Sequence, residues 1–192
     1  MEGYIIMELQ KFGIKLFFKP NGSYPSKDFI PVFHNWIQTN SVPEHMLIDV
    51  IDYSHIPDGP GIMLIAHEGH FSLDKENNMP GLLYLRKAKI DGDFQKRFES
   101  VFAKSLQAAK LLIKNEIGSE VDFQSDSFRF IANDRLLAEN NEENQELFSN
   151  TFNEILTNMY PNGKWVIEDY SQSGERLAFT INFQDDTNIV FN

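Results

Sequence analysis

The sequence predicts an α+β fold in two layers, a largely antiparallel sheet of about seven strands with three helices on one face. Three observations carry this prediction. Several short stretches alternate apolar and polar residues with period two. Three longer ones repeat apolar residues at spacings of three and four. Along the chain they run strand, helix, three strands, helix, strand, helix, two strands.

The first strand is KFGIKLFF, which sets Phe12, Ile14, Leu16 and Phe18 on one face and Lys11, Lys15 and Lys19 on the other, the pattern of a strand with one wet side. After the turn residues PNGSYPSKD, FIPVFHNWIQ places Phe29, Phe33, Trp36 and Ile37 at helical spacing, with Pro31 in the first turn. MLIDVIDYSH and GIMLIAHEGHFSLD flank PDGPG and read as a hairpin, because its prolines and glycines supply the restricted and positive φ angles of a reversal. KENNMPG makes the next turn and GLLYLRKA the next strand.

The clearest helix spans 91–118: Phe94, Phe98, Val101, Phe102, Ala109, Leu112 and Ile113 share a stripe, Asp91 is placed to cap it and Gly118 to end it. FRFIANDRLLA is a strand entering a turn. NEENQELFSNTFNEILTNMY is the third helix, opened by acids that suit its dipole and closed by Pro161 and Gly163. KWVIEDY and RLAFTINF, joined through SQSGE, form the final hairpin. Both halves thus contain strand, helix and hairpin, and VIDYS at 50–54 echoes IEDYS at 167–171, as a duplicated unit would. No low-complexity linker interrupts the chain, so 1–192 reads as a single α+β domain.

With 192 residues, 42% hydrophobic and 13% aromatic, the chain has material for a substantial core. A net charge of -11 argues against general nucleic-acid binding and against an anionic membrane surface. The absence of cysteine removes disulfides, thiolate nucleophiles and sulfur-ligated zinc. The start of the chain lacks a basic, apolar leader and no stretch approaches the ~20 apolar residues of a spanning helix. A soluble cytoplasmic protein is expected.

Three of the five histidines lie in HIPDGPGIMLIAHEGHF at 55–71. If PDGPG closes the hairpin symmetrically, Asp49 faces Glu68 and Leu47 faces His70, while His55 sits at the turn, roughly 16 Å from His67 at ~3.3 Å per residue. The run HEGH lacks the i, i+4 spacing of a zincin helix. No metal ligand set and no cofactor is expected. In that register Asp49, Glu68 and His70 share a face, which gives either a general acid/base or hard-cation site or simply a solvated sheet edge. His34 reads as a half-buried helix residue and His45 as a loop residue. Neither a phosphate-binding P-loop nor a G-x-S-x-G nucleophile elbow occurs.

Arg135, in NDRLLAENNEEN, either clamps a carboxylate or phosphate or pairs with Asp134 or a helix end. On the second helix Lys96, Arg97, Lys104, Lys110 and Lys114 fall opposite the apolar stripe, and the third carries Glu142, Glu143, Glu146 and Glu154. Opposite-signed helices suit docking within the fold or between copies, and they also suit plain solvation. Lys104 and Lys110 are the candidate partner contacts.

The runs FIPVFHNWIQ, HIPDGPGIMLIAHE and NDRLLAENNEEN resemble a conserved, uncharacterised family of bacterial proteins. The resemblance spans most of the chain. It implies a bacterial cytoplasmic protein of one domain and brings no activity, cofactor or catalytic residue. The expected function is non-catalytic: binding of a protein partner, another copy of the chain, or a small ligand against one sheet face. The alternative is a metal- or acid/base-dependent hydrolase-like enzyme using the 46–74 hairpin.

Overall fold

The alternating segments pair into one continuous sheet. The structure, a computed structural model, describes residues 8–20, 26–115, 121–169 and 174–191. In chain order the elements are β1 (Phe12–Pro20), a 3-10 turn (Ser26–Asp28), α1 (Phe29–Thr39), β2 (Leu47–Tyr53), β3 (Gly61–Ala66), β4 (Gly69–Asp74), a second 3-10 turn (Glu76–Asn78) and β5 (Gly81–Arg86). There follow α2 (Phe94–Ile113), β6 (Val121–Ala132), α3 (Glu142–Met159), β7 (Lys164–Asp169) and β8 (Ala178–Gln184). The strand order is β2-β3-β4-β5-β1-β6-β8-β7, and all neighbours are antiparallel.

The α+β class and three helices among the described residues are as the periodicity indicates, but the described sheet has eight strands. The extra one arises because 61–74 is not a single strand. It reverses at His67 and Glu68 into a second hairpin, in which Ile65 faces His70. Neither turn residue adopts positive φ, so the Asn-Gly type of signal that marks such a turn is missing from the sequence. Two boundaries also move. Asp93, not Asp91, caps α2 by accepting from the Lys96 amide, and β6 begins at Val121, well before the expected 128. Gly118, the expected stop of α2, lies outside the described residues. The echoing pentapeptides fall at the ends of β2 and β7, the two edge strands, although Tyr170 and Ser171 are outside the described residues.

All three helices cover the same face. Its floor is Ile62, Leu64, Phe71, Leu73, Leu82, Ile14, Leu16, Phe128, Phe130 and Ile181, all fully buried. Phe33 and Trp36 of α1 lie toward β4, with Trp36 edge-on to Phe71. Phe94 of α2 packs on Phe12, and Phe98 and Phe102 pack on Phe128. Phe148 and Phe152 of α3 pack on Phe130 and Phe179. Rings also join α2 to α3, through Phe94 and Phe98 against Phe152. Such tilted and edge-on pairs contribute beyond the area they bury. Among the described residues no helix is long and apolar enough to cross a membrane.

Gly61 shows why the β2–β3 hairpin needs its glycine. Its φ is +64°, and a Cβ there would lie 2.0 Å from the Leu73 carbonyl oxygen. Two substitutions test this packing by urea denaturation. Phe152→Ala is expected to cost about 3–5 kcal/mol because it empties the junction between both helices and the sheet. Gly61→Ala is expected to cost at least about 2 kcal/mol, since backbone and not side chain must move.

Candidate functional site: the open face of the sheet

Among the described residues no helix covers the opposite face, and one row of residues crosses it from edge to edge. Ile51 pairs with Met63, Met63 with Ser72, Ser72 with Leu83, Leu83 with Lys15, Lys15 with Arg129, Arg129 with Thr180 and Thr180 with Glu168. One half of the row is mostly apolar and the other half charged or polar. The change falls between β5 and β1, the two central strands.

Lys15 was expected on a wet face, yet it is fully buried, and the reason is local. Its ammonium bonds to the Asp74 carboxylate, itself 3% exposed, at the end of β4. The side chain reaches across the sheet to do so, passing over Gly81, where a Cβ would lie 3.0 Å from Lys15 Cε. Burial pushes the Lys15 ammonium below its usual range, Asp74 opposes that shift, and Arg129 adds to it. Phe17 offers its ring to both cations, 5.9 Å from Lys15 Nζ and 5.3 Å from the Arg129 guanidinium carbon.

Asp74 has a second task. The same oxygen accepts from the Glu76 amide at 3.1 Å, which starts the 3-10 turn, and Asn77 and Asn78 continue it at positive φ. The connection from Lys75 to Pro80 therefore folds across the open face. Arg129 Nη2 reaches Met79 Sδ at 3.4 Å, Phe18 donates its amide to Pro80 at 3.1 Å, and Arg176 comes within 4.0 Å of Glu76. Beneath and beside this loop are three hollows. The first, about 540 Å³, has Phe17, Met79 and Pro80 as apolar walls and Arg129, Thr180 and Glu168 as polar ones. The second, about 500 Å³, shares Arg129 and adds Arg135, Arg176, Glu76 and Glu175. The third, about 270 Å³, has His70, Ser72 and Asp74.

Arg129 is only 3% exposed, and its Nε donates to Thr180 Oγ1 at 3.2 Å. It is fixed in place at the boundary between the first two hollows. A buried guanidinium beside an aromatic wall and hydroxyl or amide side chains is suited to a carboxylate. Glu168 lies two strands beyond, and adjacent strands are about 4.8 Å apart, so the two charges bracket roughly 10 Å.

The expected triad is not assembled. Asp49 pairs with Ile65 instead of Glu68, and His70 pairs with Ile65 from the other side, so a whole strand separates them on the shared face. The register differs because the first hairpin closes with Tyr53 opposite Gly61, three residues off the symmetric closure expected of PDGPG, and Glu68 falls in the turn at 67–68. Glu68 leaves the ladder altogether: its carboxylate accepts from the Met46 amide at 2.8 Å and faces the His67 ring at 3.3 Å. Asp49 caps the amide of Val50 at 2.8 Å. His70 lies in the third hollow with Nδ1 buried and unbonded, and burial followed by the Lys87 charge lowers its pKa. Among the described residues no group of three or more His, Cys, Asp or Glu side chains is gathered as a metal ion would need.

Of the basic candidates, Arg135 is exposed and lines the second hollow. The basic face of α2 is broken up. Arg97 is 2% exposed and bonds to the Gly92 carbonyl. Lys104 folds inward to the Pro43 carbonyl at 3.0 Å, leaving Lys110 half-buried without it. Lys15, Asp74, Arg129 and Glu168 were missed. The available signal was a charge flanked by buried phenylalanines and leucines in KLFF and SFRF, which puts Lys15 and Arg129 mid-strand in the most apolar segments.

The Lys15–Asp74 pair should show strong coupling in a double-mutant cycle by urea denaturation. Lys15→Met or Asp74→Leu alone strands a buried charge and is expected to cost about 3–5 kcal/mol. The double substitution is expected to cost far less than the sum, and additive losses would show that the two charges do not support each other. No family model matches this sequence, and no curated protein matches it.

Proposed function

We propose that the protein is a non-catalytic binding domain that holds a small organic acid, a free amino acid or a close analogue, on the open face of its sheet. The resemblance noted above adds a bacterial cytoplasm as its setting. The observation that supports the reading is Arg129: a guanidinium buried over Phe17, at the edge of a hollow of about 540 Å³, within the ~300–1,000 Å³ of small-molecule sites. In this reading Arg129 takes the carboxylate. Thr180 and Asn182 offer hydrogen bonds along its path, Glu168 receives an ammonium at the rim, and Phe17 and Met79 receive the apolar side chain.

The separation of Asp49, Glu68 and His70 weighs against the hydrolase-like alternative, since a general acid and base must both reach one substrate. A docked protein would have to enter under the 75–80 loop to reach Arg129, which favours a small occupant over a partner chain.

The test is an amide-resolved NMR titration with the common amino acids and with simple monocarboxylates. Shifts are expected at Phe17, Ser127, Arg129, Thr180 and Asn182. Arg129→Gln is expected to weaken all binders by about tenfold or more, close to 1.4 kcal/mol. Glu168→Gln, an exposed and structurally mild change, is expected to weaken amino acids and spare monocarboxylates. If no probe moves these amides at millimolar concentration, the reading fails.

A further inference from the structure

We propose that the crevice between α2 and the loop leading into β2 is a second site, one that binds a phosphate group. It opens on the helix-covered side of the sheet. Its volume is about 370 Å³, and its walls come from three separate segments: His45 before β2, Tyr84, Arg86 and Lys89 from β5 and just beyond, and Ser100 and Lys104 from α2.

Three cations, Arg86, Lys89 and Lys104, meet in a chain whose net charge is -11. The one carboxylate lining the crevice is Glu44, whose side chain is 86% exposed and 3.7 Å from Lys104 Nζ. Like charges converge here with little to neutralise them, so a dianion would be drawn in.

Arg86 is held ready. Its Nε donates to the Ala88 carbonyl at 2.9 Å, its Nη1 to the Tyr84 hydroxyl at 3.3 Å and its Nη2 to the Lys89 carbonyl at 3.5 Å. All three acceptors are uncharged, and none of the described carboxylates forms an ion pair with it. A guanidinium has five N–H groups, so donors remain for a ligand. Lys104 is fixed by the Pro43 carbonyl at 3.0 Å and Gln107 Oε1 at 2.9 Å, with its side chain only 14% exposed.

Behind Arg86 runs a directed hydrogen-bond chain. The Tyr84 hydroxyl accepts from Arg86 and lies 2.7 Å from His45 Nε2, and His45 Nδ1 lies 3.2 Å from the Pro43 carbonyl. One proton assignment satisfies every member: Nδ1–H donates to Pro43, and Nε2 accepts from Tyr84. The imidazole is then neutral, in keeping with its burial and with the charges of Lys104 and Arg86 facing it, against the single opposing charge of Glu68. A forked guanidinium, two ammonium groups and the Ser100 side chain at one opening match the several acceptor oxygens and double charge of a phosphate better than a carboxylate.

The experiment is an amide and imidazole NMR titration at fixed ionic strength with inorganic phosphate, phenyl phosphate and acetate. Phosphate is expected to move His45, Tyr84, Arg86, Ser100 and Lys104 and to raise the His45 imidazole pKa. Acetate is expected to leave these signals in place. Tighter binding of phenyl phosphate assigns the site to a phosphomonoester, and equal or weaker binding assigns it to the free ion. Arg86→Gln and, separately, Lys104→Gln are expected to weaken phosphate by about tenfold each. The inference is overturned if phosphate moves none of these signals at about 10 mM, a weaker affinity than any useful site has. It is also overturned if acetate moves them equally, or if a folded Lys104→Gln protein binds phosphate unchanged.

Discussion

Lys15 and Asp74 are sealed together on the sheet face opposite α1, α2 and α3, and the shape of that face follows from them. An ammonium removed from water needs a partner at bonding distance, and the nearest strand that can offer one is β4, beyond β5. The reach is open because Gly81 lies between. Once Asp74 is fixed, its second bond starts the turn at Glu76, and the loop that follows is carried over β1 and β6. The same arrangement that shelters one cation therefore encloses a second, Arg129, and leaves hollows on both sides of it. Buried charge of this kind adds little net stability. Its effect here is to define a place.

How much of this was readable from the residues depended on whether the signal was local. Alternation in KFGIKLFF and the three-four spacing from Phe94 to Leu112 report on a single element, and both elements formed where expected. The turn at His67 and Glu68 carries no local mark, so one long strand was expected where two exist. That turn moves His70 onto a separate strand and Glu68 out of the ladder, and the first hairpin closes with Tyr53 opposite Gly61, so Asp49, Glu68 and His70 are not grouped. Lys15 and Arg129 were hidden for a different reason. Period two says which side of a strand a residue faces, but what lies over that side depends on residues 59 positions away from Lys15 and 50 from Arg129 along the chain. His45 is hidden likewise, since its partner Tyr84, and Arg86 behind it, come from a strand distant in sequence.

The two faces of the sheet are filled differently. On the helix side phenylalanines pack ring against ring in a run from Phe12 through Phe130 and Phe152 to Phe179. At its margin His45 and Tyr84 close the core, and Arg86 and Lys104 line the crevice beside α2. On the other side the 75–80 loop lies over the side chains of β1 and β6. A packed layer resists deformation, so groups mounted on its reverse keep their spacing.

The strand order has one more consequence, which concerns contact between molecules. An open sheet ends in two strands whose outer amides and carbonyls are unclaimed, and such rims invite foreign strands to join. Here the rims are β2 and β7, and both bear acids: Asp49 and Asp52 on one, Glu168 and Asp169 on the other, against a lone base, Lys164. Two copies approaching rim to rim would set carboxylate against carboxylate. Growth into a ribbon is discouraged by electrostatics, and this fold needs no cap to remain at eight strands.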